Sequence, residues 1–299
     1  MIMIDNKKYL YLITFGGLND TINQIMLGYK YCIPAKRNLV IDTTHSRQER
    51  DIQNYFYLKN KIIFQNSKSY FAKHAKLMQI YPPCNLDSLK FTYDATAGNM
   101  VSNGTSFAID LKDDRKEDIL VFGDCRLNGR ETNEFFKLFP MKENVKIPLQ
   151  KRYNSLPPDY ISVHIRNTDY QSDVSTFIEK NKDNFAKKSI FLASDNTKSI
   201  AEFKNKIDAN IYTFSNIPTY INDPELGIHK YKVDNKEELN IESIVDLVIL
   251  SLGKEIFRSC PYSGYSNNAI VMNADNEFKN NVLSQLKNNH EPLSSSKRL

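Results

Sequence analysis

Tryptophan is missing altogether, and so is any pair of cysteines at zinc-binding spacing. The four cysteines, Cys32, Cys84, Cys125 and Cys260, lie far apart with no CxxC and no His-rich partner. That excludes the common zinc modules and reads as four reduced thiols in a cytosolic protein. No apolar run approaches the ~18 residues that a membrane span requires. The amino-terminal stretch MIMIDNKKYLYLITF is short, is interrupted by lysines and precedes no small-residue cleavage site, so it is not read as a signal peptide. No stripe of Lys and Arg interleaves with stacking aromatics, and the formal charge of +5 is small for 299 residues. A nucleic-acid partner is therefore not expected; the mild excess suits an anionic small ligand or a membrane surface. There is no GxGxxG, and no solenoid repeat.

What is present is an ordinary globular composition, 41% hydrophobic and 25% charged, with 17 Tyr and 17 Phe to fill cores and pockets. Tyr9 to Thr14 reads as a strand, followed by the turn FGGLND and a helix. Thr21-x-x-Gln24 has the capping-box pattern, and Ile22, Ile25, Met26, Tyr29, Cys32 and Ile33 recur at helical spacing. Pro34 stops the helix, and NLVIDTT then reads as a second buried strand closing at Asp42. Strand, helix and strand within about 35 residues make a βαβ unit and predict a parallel sheet. Residues 46–120 do not resolve into an order of elements, although DILVF at 118–122 reads as a strand.

The segment FPMKENVKIPLQKRYNSLPPDY reads as an interdomain connection. The expected division is 1–150, 151–285 and a frayed polar tail at 286–299. The second half repeats the pattern. YISVHIR, SIFLASDN, NIYTF and KEIFRS read as strands, and Thr197 to Ile207 as a helix. Asn240 is read as the N-cap of a deeply buried helix, IESIVDLVILSLG, with Gly253 at its C′ position. CPYSGYSNNAIVM reads as a loop entering a helix.

In an open parallel sheet, ligands bind beyond the carboxyl ends of the strands. Three polar clusters of the second half fall there: His164-x-Arg166-x-x-Asp169, Ser194-Asp195-Asn196, and Ser259 to Ser266. Arg166 offers a permanently charged planar fork for phosphate oxygens. Ser263, Gly264 and Ser266 at a helix start offer hydroxyls, close backbone approach and open N–H groups. Asp195 can accept from a ribose or a base edge. Together these suit a nucleotide diphosphate. Each also has a plain reading: Arg166 with Asp169 as a strand-closing ion pair, Asp195 as a helix N-cap, YSGYSNN as a turn. In the first half, Gly16 and Gly17 allow close approach in the strand-to-helix turn. Asp20 stands at its mouth as a cap or as a cleft carboxylate. Asp42 lies at the distance of a ribose-binding carboxylate. His45 and His229 are lone histidines, a weak signal.

These motifs resemble those of the fucosyltransferase superfamily, which spans α1,2-, α1,6- and protein O-fucosyltransferases. VHIRNTDY resembles its HxRRxD-type signature and GGLNDTINQ its GGLxNQ turn. DLVILSLGKEIFRSCPYSGYSNNA resembles its late helix, strand and Ser-rich loop. The resemblance implies an α/β fold of GT-B architecture, two Rossmann-like domains with parallel sheets facing a cleft. The amino-terminal domain would take the acceptor and the carboxyl-terminal domain the nucleotide sugar. It implies inverting transfer without an essential metal. Arg166 would bind the donor diphosphate, with His164 beside it, Asp195 toward the nucleoside, and Ser263 with Gly264 on phosphate. Two positions depart from the pattern. Asn167 stands where the second arginine belongs, which weakens a GDP-fucose assignment. Asp20 stands where many relatives have Asn, and is the first candidate for general base.

The expectation is thus a distant bacterial glycosyltransferase of surface polysaccharide synthesis, cytoplasmic or peripheral at the inner membrane face. Its acceptor would be a lipid-linked or growing glycan, with oligomeric state open. The rivals are transfer from another donor, such as a non-fucose or phosphoribosyl one, and a non-catalytic glycan- or nucleotide-binding protein.

Overall fold

The computed structural model describes residues 8–47, 49–58, 62–63, 73, 75–86, 92–94, 99–102, 105–107, 111, 115–123, 131–168, 171–217 and 235–287. Asp169 and His229, both named from the sequence, lie outside the described residues, as does 288–299 of the expected tail. The chain divides into two compact units, Met1–Phe135 with Val233–Asn240, and Phe136–Lys232 with Ile241–Leu299.

In the first unit, β1 (Tyr9–Ile13), α1 (Leu18–Cys32) and β2 (Asn38–Asp42) form the expected βαβ unit. A five-stranded sheet has the order β3-β2-β1-β8-β4, with β3 (Ile62–Ile63), β4 (Ile80–Tyr81) and β8 (Ile119–Phe122). Every pairing in it is parallel. All five residues of β1 are buried, the continuous apolar pattern of a parallel strand covered on both faces. Tyr9, Tyr11 and Ile13 enter one apolar cluster with Val40, Ile119 and Val121. Leu10 and Leu12 face α1, which closes on them at Gly28: a Cβ there would lie 3.1 Å from Leu39 and 3.3 Å from both Leu10 and Leu12. A separate antiparallel sheet, β5-β6-β7 (Thr92–Asp94, Asn99–Ser102, Thr105–Ser106), occupies part of the stretch whose order the sequence leaves open.

The helix starts reported by the structure differ from the expected caps. α1 begins at Leu18 with Gly17 as N-cap, one turn before Thr21, because the Asp20 carboxylate accepts the Gly17 N–H at 3.0 Å. Gln24 is buried and holds the turn instead. Its Oε1 accepts the Phe15 N–H at 2.9 Å and its Nε2 donates to Phe15 O at 3.2 Å.

Helix α2 (Thr132–Leu138) leads out of the first unit's sequence. The proline-bearing segment expected as a connection is largely α3 (Glu143–Asn154), with Pro148 inside it. Val145 and Leu149, four apart, are both buried, and that apolar anchorage outweighs the hydrogen bond Pro148 cannot donate. The second unit then alternates β9 (Ile161–Ile165), α4 (Val174–Phe185), β10 (Ser189–Ser194), α5 (Thr197–Lys206) and β11 (Asn210–Tyr212). α6 (Lys236–Leu252), of which the part from Ile241 on belongs to this unit, β12 (Ile256–Arg258), α7 (Gly264–Ala274) and α8 (Asn276–Lys287) complete it. The sheet is parallel throughout, in the order β11-β10-β9-β12. Ile161, Val163 and Ile165 join Val174, Ile178, Phe185 and Phe203 in one core, the α4 and α5 side. The intervening Ser162 and His164 point to the other face.

α6 starts at Lys236, four residues before the cap expected at Asn240. Glu237 and Glu238 in its first turn favour the positive end of the helix dipole. Asn240 lies inside it, donating from Nδ2 to Tyr55 Oη at 2.9 Å. Gly253 follows the helix without the positive φ expected at C′; among the described glycines only Gly16 has one. Close packing explains Gly253 instead, since a Cβ there would fall 2.2 Å from Ser162 Oγ. No described helix is long and apolar enough to cross a membrane.

Within the second unit Arg152 meets two acids of α6. It pairs with Glu242 and donates from Nη1 to Asp246 Oδ1 at 3.3 Å, while Ser215 Oγ donates to Asp246 Oδ2. Burial pushes the Asp246 carboxyl up to about 7, against the Ser215 hydrogen bond and the Arg152 charge. An acid raised in the folded state holds its proton where the unfolded chain has released it, so folding loses stability as pH rises from about 3.8 to about 7. Replacing Asp246 with Asn keeps the Oδ1 acceptor for Arg152, lets Nδ2 donate to Ser215 Oγ with that bond reversed, and is expected to flatten this window. Thermal melts of both proteins from pH 4 to 8 check it; parallel curves would refute it.

Candidate functional site

The order β11-β10-β9-β12 places a topological switch between β9 and β12, because the chain leaves β9 toward β10 and returns later on its opposite side. At such a point neighbouring loops diverge and leave a crevice beyond the strand ends. Arg166 follows β9 and Ser259 follows β12, and they meet there. Ser259 Oγ accepts the Arg166 N–H at 3.1 Å. Ser172 Oγ lies 2.6 Å from Arg166 O and 2.9 Å from Ser259 Oγ. Thus one hydroxyl pair ties the two strand ends. A groove of about 340 Å³ opens beside this pair, lined by Gln171, Asp173, Phe177 and Lys180 on one side and Cys260 and Tyr262 on the other.

Asp195, after β10, is not the helix N-cap that the sequence offered as one reading of it. The α5 N-cap is Asn196, whose Oδ1 accepts the Ser199 N–H at 3.0 Å. Asp195 instead gathers the loop after β9: Arg166 Nη1 at 2.5 Å, the Asn167 N–H at 3.1 Å and Thr168 Oγ1 at 2.6 Å. The Arg166 and Asp195 side chains are only 16% and 11% exposed, so the pair is largely desolvated. Ser194 Oγ accepts the Asn196 N–H at 3.2 Å, shaping the same turn.

Asn167 is used structurally. Its Nδ2 donates to Ser199 Oγ at 3.0 Å, its Oδ1 accepts the Ser172 N–H at 3.3 Å, and its carbonyl accepts from Asn196 Nδ2 at 3.0 Å. Nothing in the sequence pattern announced this staple.

His164 is buried and its ring lies 5.2 Å from that of Tyr265, tilted 33°. Tyr265 is anchored by its hydroxyl, which donates to Ser243 O at 2.7 Å. Burial, and then the Arg166 charge, lower the His164 pKa to about 3, so the imidazole is neutral near neutral pH. Among the described residues its Nδ1 has no hydrogen-bond partner. Ser263 is the N-cap residue of α7 and is buried without a side-chain capping bond. Gly264 beside it is exposed, and Ser266 Oγ donates to Ser263 O at 3.3 Å. The second unit therefore brings His164, Arg166, Ser194, Asp195, Ser263, Gly264 and Ser266 to one edge of its sheet.

Gly16, Gly17 and Asp20 belong to the first unit, at the end of β1. Gly16 O accepts the Arg47 N–H at 2.9 Å, so the loop after β2 leans on the turn. Asp20 is exposed at the mouth of the turn, and its carboxyl is raised from the ordinary aspartate value by partial desolvation, opposed by the Gly17 N–H and the Arg47 charge. Asp42 is buried and fully occupied in local structure: Tyr11 Oη donates to Oδ2 at 2.7 Å, and the Thr44 N–H to Oδ1 at 3.0 Å. That disposes of it as a ribose ligand. His45 lies against Phe15, ring centroids 6.3 Å apart.

Solved structures share this architecture. The fucosyltransferase NodZ from Bradyrhizobium superposes with a TM-score of 0.63 at 13% identity, over 88% of this chain and 92% of that one. NodZ α-1,6-fucosyltransferase co-crystallised with GDP gives the same TM-score at 14% identity and the same coverage. A variant of FUT1 from Arabidopsis thaliana in complex with GDP gives 0.51 at 11% identity, over 91% of this chain and 70% of that one. The chain has the fold of these fucosyltransferases. No protein-family model matches the sequence, and no curated protein does. At this identity the likeness speaks for the backbone of the fucosyltransferase fold, and the chemistry rests on the residues described above.

Gly16 carries a sharp expectation. It has φ +73°, and a Cβ would fall 2.2 Å from Asp20 Oδ2. Gly16→Ala should cost about 1–3 kcal/mol of stability and displace the Asp20 carboxylate. An unchanged denaturant midpoint would show that the turn is not held as described.

Proposed function

We propose that the protein is a glycosyltransferase of GT-B architecture that moves a sugar from a nucleotide-diphosphate donor to a glycan hydroxyl. The observation that carries this reading is the meeting of Arg166, Asp195 and Ser259 at the switch point of a parallel sheet, in a fold shared with fucosyltransferases. In this reading the second unit binds the donor and the first takes the acceptor. Neighbours of the same fold were solved with GDP and GDP-fucose, which supports a GDP-linked donor.

The chemistry follows from charge. As the glycosidic bond to the diphosphate breaks, negative charge grows on the leaving oxygens. Arg166 meets it with a fixed guanidinium, already oriented by Asp195, so little reorganisation is needed at the moment of reaction. Ser263, Gly264 and Ser266 present the start of α7 to phosphate. His164, being neutral, shapes the wall beside Arg166 and donates no charge. Asp20 takes the acceptor proton as its hydroxyl attacks the anomeric carbon from the opposite side, which inverts the configuration. Its raised pKa makes it a stronger base than an ordinary aspartate. No metal is invoked, and transfer occurs in the cytoplasm, at the membrane face where bacterial surface polysaccharides are built on lipid-linked glycans.

A second reading, another phosphorylated donor such as a non-fucose sugar nucleotide, is favoured by Asn167. Its side chain is committed to Ser199 and Ser172 and supplies no charge.

A thermal-shift screen over GDP, UDP, ADP and CMP separates the donors, because a ligand that binds only the folded state raises the melting temperature. Arg166→Ala should abolish transfer, about 100-fold or more, while the fold persists. Near-normal turnover in that variant, or no shift with any nucleotide, would refute the assignment.

A further inference from the structure

A nucleoside diphosphate brings two to three negative charges into the crevice, and the residues assigned above do not balance them. Arg166 is paired with Asp195 at 2.5 Å, so the two together add no net charge. Asn167, the next residue, is uncharged and committed to Ser199 and Ser172. His164 is neutral. Lys180 lines the groove on the same side as Asp173, whose carboxyl it helps to hold low after the hydrogen bonds from Thr176. Among the described residues, a further cation at this edge that ends a strand beside Arg166 is Arg258.

Arg258 is the last residue of β12 and pairs in register with His164 on β9. Two residues matched across a parallel pair point to the same side of the sheet. Arg258 therefore lies on the Tyr265 and α7 side, at the switch point itself. It is half-buried, donates from Nη1 to Asn267 Oδ1, and has no acidic partner among the described residues. Asn267 in turn donates from Nδ2 to Pro261 O at 3.1 Å, which fixes the acceptor that holds the guanidinium. A half-buried guanidinium beside the first turn of a helix is costly without an anion, since the helix start is itself electropositive. A second negative group arriving there would relieve both.

We propose that Arg258 supplies the second cation of the donor diphosphate site, taking from the neighbouring strand the role that Asn167 cannot fill. The inference rests on the nucleotide-diphosphate reading of the site. It makes Arg258 the residue that separates diphosphates from monophosphates: Arg166, balanced by Asp195, holds one phosphate, and Arg258 the other.

Calorimetric titration of the full chain with GDP and GMP, and with UDP and UMP, tests it. In the wild type the diphosphate should bind tighter. Arg258→Gln should weaken the diphosphate by about tenfold or more, the range for hydrogen bonds to charged groups, and the monophosphate far less. Arg258→Lys should recover part of the loss, because charge returns without the fork. Arg258→Met, which keeps the aliphatic stem, carries the same comparison if the Gln variant does not fold. A variant with the wild-type ratio of diphosphate to monophosphate affinity overturns the role of Arg258 and leaves the site standing. A wild type that binds neither nucleotide overturns the site reading, and this inference with it.

Discussion

The Asp195 carboxylate organises the edge of the second unit's sheet where its strands end. Three groups of the loop after β9 converge on it: a guanidinium, a backbone N–H and a hydroxyl. Taken alone, a desolvated ion pair is a poor source of stability, since desolvation of both charges offsets most of their attraction. Its effect here is positional. It fixes the direction in which Arg166 leaves the strand and removes the freedom that a long side chain would otherwise lose on binding ligand. A guanidinium has five donors, more than one carboxylate can take, so orienting it through Asp195 is compatible with its meeting phosphate.

That clamp is only useful because the sheet puts it at a switch point. β9 is buried on both faces, and its neighbours on either side are parallel. Along such a strand most side chains are apolar, and the charged groups gather where the strand ends. Ser259 and Ser172 then join the ends of β9 and β12 with hydroxyls, which hold two loops in register without adding charge. The first unit solves the same problem differently. There the turn after β1 is stapled by the Gln24 amide to the Phe15 backbone and by Asp20 to Gly17.

Much of this is legible in the amino-acid sequence, for identifiable reasons. Strands such as YLYLI and ISVHI are apolar, short and bounded by turns, so their type and position follow from pattern alone. The three polar clusters of the second half could be assigned to one edge because parallel topology forces strand ends together. What failed was capping and close packing. Gln24 matched a capping box but serves as a tertiary staple, and Asn240 matched an N-cap but reaches Tyr55, 185 residues away in sequence. Gly253 matched a helix stop, yet its constraint comes from Ser162 on β9. Each of these residues is polar or small, and local pattern cannot distinguish a partner three residues away from one across the fold. Arg258 was passed over for the same reason: within KEIFRS it looks like a strand-end charge, and its place opposite His164 appears only with the register.

The electrostatics of the two α6-facing groups complete the picture. His164 and Tyr265 form the wall on one side of Arg166, and Tyr265 is pinned to Ser243 on α6, whose neighbours Glu242 and Asp246 share Arg152. One guanidinium cannot neutralise two buried carboxyls, so one of the pair keeps its proton near neutral pH, and Asp246 is the one that burial pushes up. The neutral histidine follows the same rule from the other sign: it is buried, it sits near a guanidinium, and protonating it would add a second unpaid cation. Burial thus favours the neutral form of both groups. His164 is buried and uncharged beside Arg166, and in such surroundings a fixed cation is screened far less than it would be in water.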